Sequence, residues 1–401
     1  MHSDRAFYLI LGASVAVFFN YVGTWVSTPV VSLYSKSVGA SVADVGLIMG
    51  ANQVMAAALS IPFGLISDRV GRKITMIYGC IFSGISYFLL AFVPPQFIMI
   101  TYMMTGIGNT AYSTISFALI GDLAAEGKLG KSFGIYTLFV QVAMVLGPVL
   151  GGIVTNMTGH FQTAFLLSGC MLLTGAVSGF FILPAERKKI ISSHGSLRRD
   201  LKEISRNHRA MTSFVAFFAI SFVWGALITF LPLYLNSIGV DVIIIGVIFS
   251  IHSAASGVSQ LPFGYIYDIT RIKEKLFVTG LILAAATMLA LSLTSNLILL
   301  TILVALLGIA RSLTHITGNS VTMESSGPER RGLAMGLLST GIFAGWALAS
   351  GSLGFIIDSF DSYGAGFQIA SIICLACVAA IFIMKTREER TRNRSARLDG
   401  D

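Results

Sequence analysis

A chain of 401 residues that is 55% hydrophobic, only 11% charged and has a mean hydropathy of +0.80 cannot bury its apolar side chains inside a water-soluble globule. Lipid is therefore the expected solvent. The net charge of +8 raises nucleic acid as a partner, but the placement of the cations argues for topology instead.

A membrane-spanning helix needs roughly 20 mostly apolar residues. Taken in chain order, that window predicts spans near 8–32, 43–66, 74–93, 97–120, 133–156 and 162–183. Six more follow near 211–235, 242–266, 276–295, 297–320, 333–356 and 366–384. The expected fold is thus an all-α membrane protein with twelve transmembrane helices. The amino-terminal run is too long for a cleaved signal peptide and is followed by eleven others, so it is read as a retained first span.

Of the 27 Lys and Arg residues, Lys36 falls in an odd-numbered loop and Arg311 inside a span. The rest occupy the termini or the even-numbered loops, including Arg69, Arg72 and Lys73 after the second span and Arg330 and Arg331 after the tenth. The positive-inside rule then places both termini in the cytoplasm of a plasma (inner) membrane. The basic segments at 186–209 and 385–397 are read as topology signals attracted to anionic lipid. Cys80, Cys170, Cys374 and Cys377 all lie in apolar spans and are read as small hydrophobes.

An internal repeat organises the chain. Tyr34, Gly39 and Gly46 recur as Tyr234, Gly239 and Gly246, Pro62-Phe63-Gly64 as Pro262-Phe263-Gly264, and Asp68 as Asp268, all 200 positions on. The expected domains are a six-helix bundle over 1–184, a linker at 185–209, a second bundle over 210–385 and a basic tail at 386–401. Parallel halves with a site near the midplane between them are a transporter architecture.

Gly64-x-x-x-Asp68-Arg69-x-Gly71-Arg72-Lys73 resembles, at every position, the loop motif between helices two and three of the major facilitator superfamily. Gly147-Pro148-x-x-Gly151-Gly152 on the fifth span resembles the motif of that family's drug/proton antiporter branch, with Ala143 where a leading glycine is usual. The resemblance covers essentially the whole chain. It implies a secondary-active transporter, working without a cofactor or metal and as a monomer, that moves a small organic solute, by default in proton-coupled efflux. It also implies that Asp68 latches onto the start of the eleventh helix in one conformation and that Asp268 mirrors it towards the fifth. Arg69 and Arg72 would pair with Asp122, whose second-half counterpart is Glu324.

Physically, a carboxylate suits a helix amino terminus. Small residues beside a proline let a helix bend or let a neighbour approach closely, so the fifth span is read as a hinge or a seal.

Titratable groups inside a span are costly, about 2.5 to 3.5 kcal/mol for a central Arg on insertion scales. Arg311 and His315 lie four residues apart on one face of the tenth span, Asn319 continues that face, and His252 sits in the eighth. Together they describe a positive pocket suited to an anionic solute, unless Arg311 reaches Glu324 or a carbonyl and the histidines merely pack. Tyr21, Trp25, Trp224 and Trp346 are candidate aromatic walls. The chain departs from the antiporter branch in carrying Tyr102 where an Arg is usual. Its amino-half spans hold Asn20, Asn52, Gln53, Asn109 and Gln141 but no acid in their interiors. An organic anion held by Arg311 and His315 is accordingly the alternative substrate. LGKS at 129–132 is no phosphate loop, having Ala125 at its first glycine position and no preceding strand, and no hydrolase motif is present, so no enzyme is expected.

Overall fold

A computed structural model describes residues 2–123, 129–183, 207–270, 273–325 and 331–398. Its twelve long helices are α1 His2–Ser37, α2 Val42–Val70, α3 Arg72–Phe92, α4 Ile98–Leu123, α5 Leu129–Thr158 and α6 Gln162–Ile182, then α7 His208–Ser237, α8 Val242–Ile269, α9 Lys273–Leu291, α10 Leu297–Ser325, α11 Arg331–Phe360 and α12 Tyr363–Leu398. Eleven are long and apolar enough to cross a membrane; α4, which carries four Thr, two Ser, three Gly and Asn109, falls below that mark. Large side chains such as Phe92, Val258 and Leu261 are more than three-quarters exposed, as the surface of a multi-pass membrane protein must be. The expected linker at 185–209 lies mostly outside the described residues, and α7 starts two residues inside it. Asn207 caps α7, accepting from Arg209 and Ala210 N–H and donating to the Ser325 carbonyl at the end of α10. Helix α12 runs on through the stretch expected as a tail.

The repeat is visible in the turns. Gly39 and Gly239 take φ of +98° and +82° after α1 and α7, a region that favours glycine. Two residues later Ser41 and Asp241 cap α2 and α8: Ser41 accepts from Asp44 N–H, and Asp241 from Ile243 N–H. Within the halves the packing matches pair by pair. Helix α1 packs on α5 and α6, α2 on α4, and α3 on α4 and α6, while α7 packs on α11 and α12, α8 on α10, and α9 on α10 and α12.

Between the halves, α2 lies against α11, α5 against α8, and α1 against α7. These seams are closest at the end opposite the termini, here called the outer end. A Cβ on Gly46 would collide with the Ser350 carbonyl, one on Gly50 would lie 3.0 Å from the Ala347 carbonyl, and one on Gly246 would strike the Pro148 carbonyl. Gly46 and Gly246, equivalent in the repeat, thus do the same work in the two seams. At the inner end, a Cβ on Gly64, Gly134, Gly264 or Gly336 would meet nothing within 4 Å. The halves are joined at the outer end and apart at the inner one.

Inside the first half two interior amides are hydrogen-bonded between helices. Asn52 on α2 donates to the Tyr102 carbonyl at 2.7 Å and to Thr105 Oγ1 at 3.0 Å, and Gly106 leaves room for it. Asn109 Oδ1 accepts from Ser83 at 2.8 Å and from Thr24 at 3.4 Å. Asn52→Leu is expected to lower stability by about 1 kcal/mol, the scale of interhelical hydrogen bonds in membranes. A thermal melt in detergent checks it; an unchanged midpoint would mean that the amide contributes nothing.

Candidate functional site

The central site is built by helix crossings that the repeat makes twice. On α2 and α4 the crossing is Asn52 against Gly106; on α8 and α10 it is His252 against Gly308, whose Cβ position is filled by the His252 carbonyl. The same offsets relate Thr24 and Asn109 to Trp224 and Arg311. The backbone geometry is shared, but the side chains differ in kind. The first half has neutral amides with their hydrogen bonds made. The second has an imidazole stacked on an indole, with Trp224 and His252 ring centroids 4.4 Å apart at 27°, and a guanidinium 4.9 Å above the same indole. Trp25, from the other half, approaches Trp224 at 6.0 Å.

Arg311 is half-buried, fourteen residues into α10. Among the described residues it has no carboxylate or hydrogen-bond partner, and it lies over the Trp224 ring. Glu324, considered above as its partner, is held by Lys273 at 2.7 Å. A cation over an indole face is stabilised by about 0.5 to 2 kcal/mol, which is less than its cost in mid-membrane. His252 is 1% exposed and its Nδ1 has no partner among the described residues. Trp346 packs its ring and backbone against Gly225, next to Trp224, with its indole N–H likewise buried and unpartnered. Unpartnered nitrogens of Arg311, His252 and Trp346 therefore lie about the Trp224 ring.

Other candidate residues fall elsewhere. His315 shares a face of α10 with Arg311 but meets Phe217, 4.7 Å away and two turns from Trp224 along α7. Asn319 is half-buried one turn further in. Tyr21 packs on Tyr112 at 6.1 Å, within the first half. Pairwise comparison of the two crossings exposes what spacing on single helices missed: Asn52 and Asn109 are the neutral counterparts of His252 and Arg311.

At the inner rim, Arg72 binds Asp68 at 3.2 Å, Asp122 through its Nε, and Ser67 Oγ at 3.2 Å. Gly71, at φ +109°, makes the turn that brings Arg72 back to Asp68. Arg69 is exposed and makes no ion pair among the described residues. Asp68, expected to latch onto the start of α11 in one conformation, pairs in this one with Arg72. Asp268, expected to face α5, is exposed at the end of α8 and pairs with no cation among the described residues. Lys73 donates to the Phe180 and Leu183 carbonyls that close α6.

The Gly147-Pro148-x-x-Gly151-Gly152 segment is wedged between two helices. A Cβ on Gly147 would lie 2.5 Å from Trp25 Cβ, one on Gly151 would strike the Val26 carbonyl, and one on Gly152 would lie 2.8 Å from the Val242 carbonyl. Ser250 of α8 also donates to the Val145 carbonyl across the seam. These contacts hold α5 backbone to backbone against α1 and α8.

Asp68→Asn is expected to leave membrane insertion intact and to slow turnover about tenfold, the scale of one charge-assisted bond. The check is a transport assay on reconstituted protein; wild-type turnover in the mutant removes Asp68 from the gating cycle.

Similar proteins agree with this architecture. An uncharacterized MFS-type transporter of Methanocaldococcus jannaschii is 23% identical over 353 residues, covering 86% of this chain and 90% of its own. The inner membrane transport protein YajR of Escherichia coli is 24% identical over 88% of this chain and 78% of its own. The sphingosine-1-phosphate transporter SPNS2 of Danio rerio is 29% identical over 43% of this chain, which spans about a third (36%) of that relative's length. Among solved structures, a bacterial homolog of the human lysosomal transporter Spinster, inward-facing and occupied, superposes with a TM-score of 0.78 at 16% identity over 94% of this chain and 96% of its own. A point mutant of the nucleoside transporter NupG gives 0.78 at 13% identity over 94% and 99%. The family model of the Major Facilitator Superfamily matches residues 13–272 and 214–400, so this chain belongs to that superfamily of membrane transporters of small solutes.

Proposed function

We propose that this transporter carries an organic anion with an apolar portion, by alternating access, and that Arg311 binds the anionic group. The single observation behind this reading is a mid-membrane guanidinium with no carboxylate or hydrogen-bond partner among the described residues, over Trp224. The equivalent crossing in the first half holds together with the neutral pair Asn52 and Asn109, so the fold does not need a cation there. A guanidinium offers planar, bidentate donors to a carboxylate or phosphate. Trp25, Trp224 and Trp346 supply flat apolar walls beside it. That part of the chain is related to proteins named as sphingosine-1-phosphate transporters is in keeping with an amphipathic anion.

In this mechanism the solute enters from the inner end, where the halves are apart, and sits between Arg311 and the aromatic column. Closing the inner end would bring Asp68 towards the start of α11 and open the outer seams. The inner end is assigned to the cytoplasm from the distribution of cations. A second reading is proton-coupled efflux, as in the drug/proton branch; the unpartnered Nδ1 of His252 beside Arg311 gives it a candidate proton carrier.

The test is reconstitution in liposomes with an imposed pH gradient, comparing labelled amphipathic carboxylates and phosphate monoesters with lipophilic cations. Saturable movement of an anion, independent of the gradient, supports the first reading. Gradient-driven anion movement lost in His252→Gln would combine the two. Transport confined to cations and unaffected by Arg311→Ala overturns the anion proposal.

A further inference from the structure

We infer that Asp358, at the outer end of α11, is a clasp that holds the outer end shut by completing the helix cap of α2 in the other half. Asp358 Oδ1 accepts from Val42 N–H at 3.2 Å and Oδ2 from Ala43 N–H at 2.8 Å. These are two of the four amino-terminal N–H groups that a helix cannot satisfy internally. Asp44 N–H goes to Ser41 Oγ and Val45 N–H to the Ser41 carbonyl, so the first turn of α2 is fully bonded only while α11 is docked on it. One turn back on α11, a Cβ on Gly354 would sit 2.7 Å from the Val42 carbonyl, so the two backbones are in contact where the carboxylate reaches over. A carboxylate accepting two N–H groups at a helix amino terminus combines charge-assisted bonds with the helix dipole.

The repeat supplies an internal comparison. In the other seam, α8 is capped by its own Asp241, and the position equivalent to Asp358, by the 202-residue offset that pairs Gly152 with Gly354, is Asn156, which is exposed and makes no hydrogen bond to α8 among the described residues. One seam thus closes without such a bond, so the carboxylate at the other is an addition to the fold's basic packing. It also sits on the same helix pair as Asp68, whose expected partner is the opposite end of α11. Opening the outer end breaks the Asp358 bonds; opening the inner end leaves Asp68 to Arg72. Asp358 is in this sense a positioning residue for the conformational step and touches no solute.

The test needs no substrate and stands apart from the proposed anion. Spin labels at Ser37 and Ser237, exposed at the outer ends of α1 and α7, report the outer opening in lipid nanodiscs, on a background with the four cysteines replaced. Asp358→Asn is expected to raise the ratio of open to closed outer ends about tenfold. Val42→Pro removes one of the two donors without changing any charge, at a helix position where proline is favoured, and is expected to shift the ratio the same way by a smaller factor. Unchanged distributions in both variants overturn the clasp. So does a shift in Asp358→Asn alone, which would trace the effect to lost charge, not to the lost cap. Should Asp358→Asn fail to fold, Val42→Pro decides by itself.

Discussion

Arg311→Ala is expected to reduce saturable anion transport about 100-fold while leaving the protein at least as stable as the wild type. The two halves of that result have separate causes. Hydrogen bonds to a charged group contribute about 1.5 to 3 kcal/mol each, and a bidentate contact offers two of them. In the absence of solute the same guanidinium has the face of Trp224, against a cost of about 2.5 to 3.5 kcal/mol for an arginine at mid-span. Removing it should therefore not lower a melting midpoint measured without solute. Arg311→Lys keeps the charge but loses the planar fork, and should fall between the two. If Arg311→Ala instead melts earlier and transports normally, the residue is a packing element and the anion site is elsewhere.

The second large effect is expected from the outer seam. Gly246→Leu places a side chain where the Pro148 carbonyl already fills the Cβ position, so the outer end should be unable to close. Overpacking costs about 1 to 3 kcal/mol, and here the cost falls on only one of the two conformations. The population closed at the outer end should drop by roughly 5- to 150-fold on that scale, and turnover with it. Gly351→Ala, in the opposite seam but with nothing within 4 Å of its Cβ position, is the matched control and should behave as the wild type. The spin-label distance that tests Asp358 reads both. Equal behaviour of the two glycine variants would show that the seam does not move during transport.

Much of the architecture is legible in the sequence because lipid imposes it. Length and apolarity mark the spans, and the 200-residue repeat ties Gly46 to Gly246 and Asp68 to Asp268 before any coordinates are seen. Even α4, whose hydropathy is low, shows as a span near 97–120 in the same reading. The site is less legible. Arg311 and His315 share a helical face by spacing, yet α10 runs along α7, so that one meets Trp224 and the other Phe217. Spacing on one helix says nothing about the direction of its neighbour. Asp358 is less visible still. Its partners are backbone N–H groups more than 300 positions away, and a backbone donor leaves no trace in residue identity.

The low hydropathy of α4 has a consequence for how the protein is made. A segment carrying Asn109 and a run of Thr, Ser and Gly partitions poorly into lipid alone. Its Asn109 and Thr105 are bonded by α3: Ser83 donates to the Thr105 carbonyl and to Asn109, and Gly79 and Gly108 bring the α3 and α4 backbones together. The link between α3 and α4 is a short stretch around Pro94 and Pro95. Helix α4 should therefore enter the bilayer as one arm of a hairpin with α3 during synthesis. A nascent chain from which α3 has been deleted has no second arm to offer it.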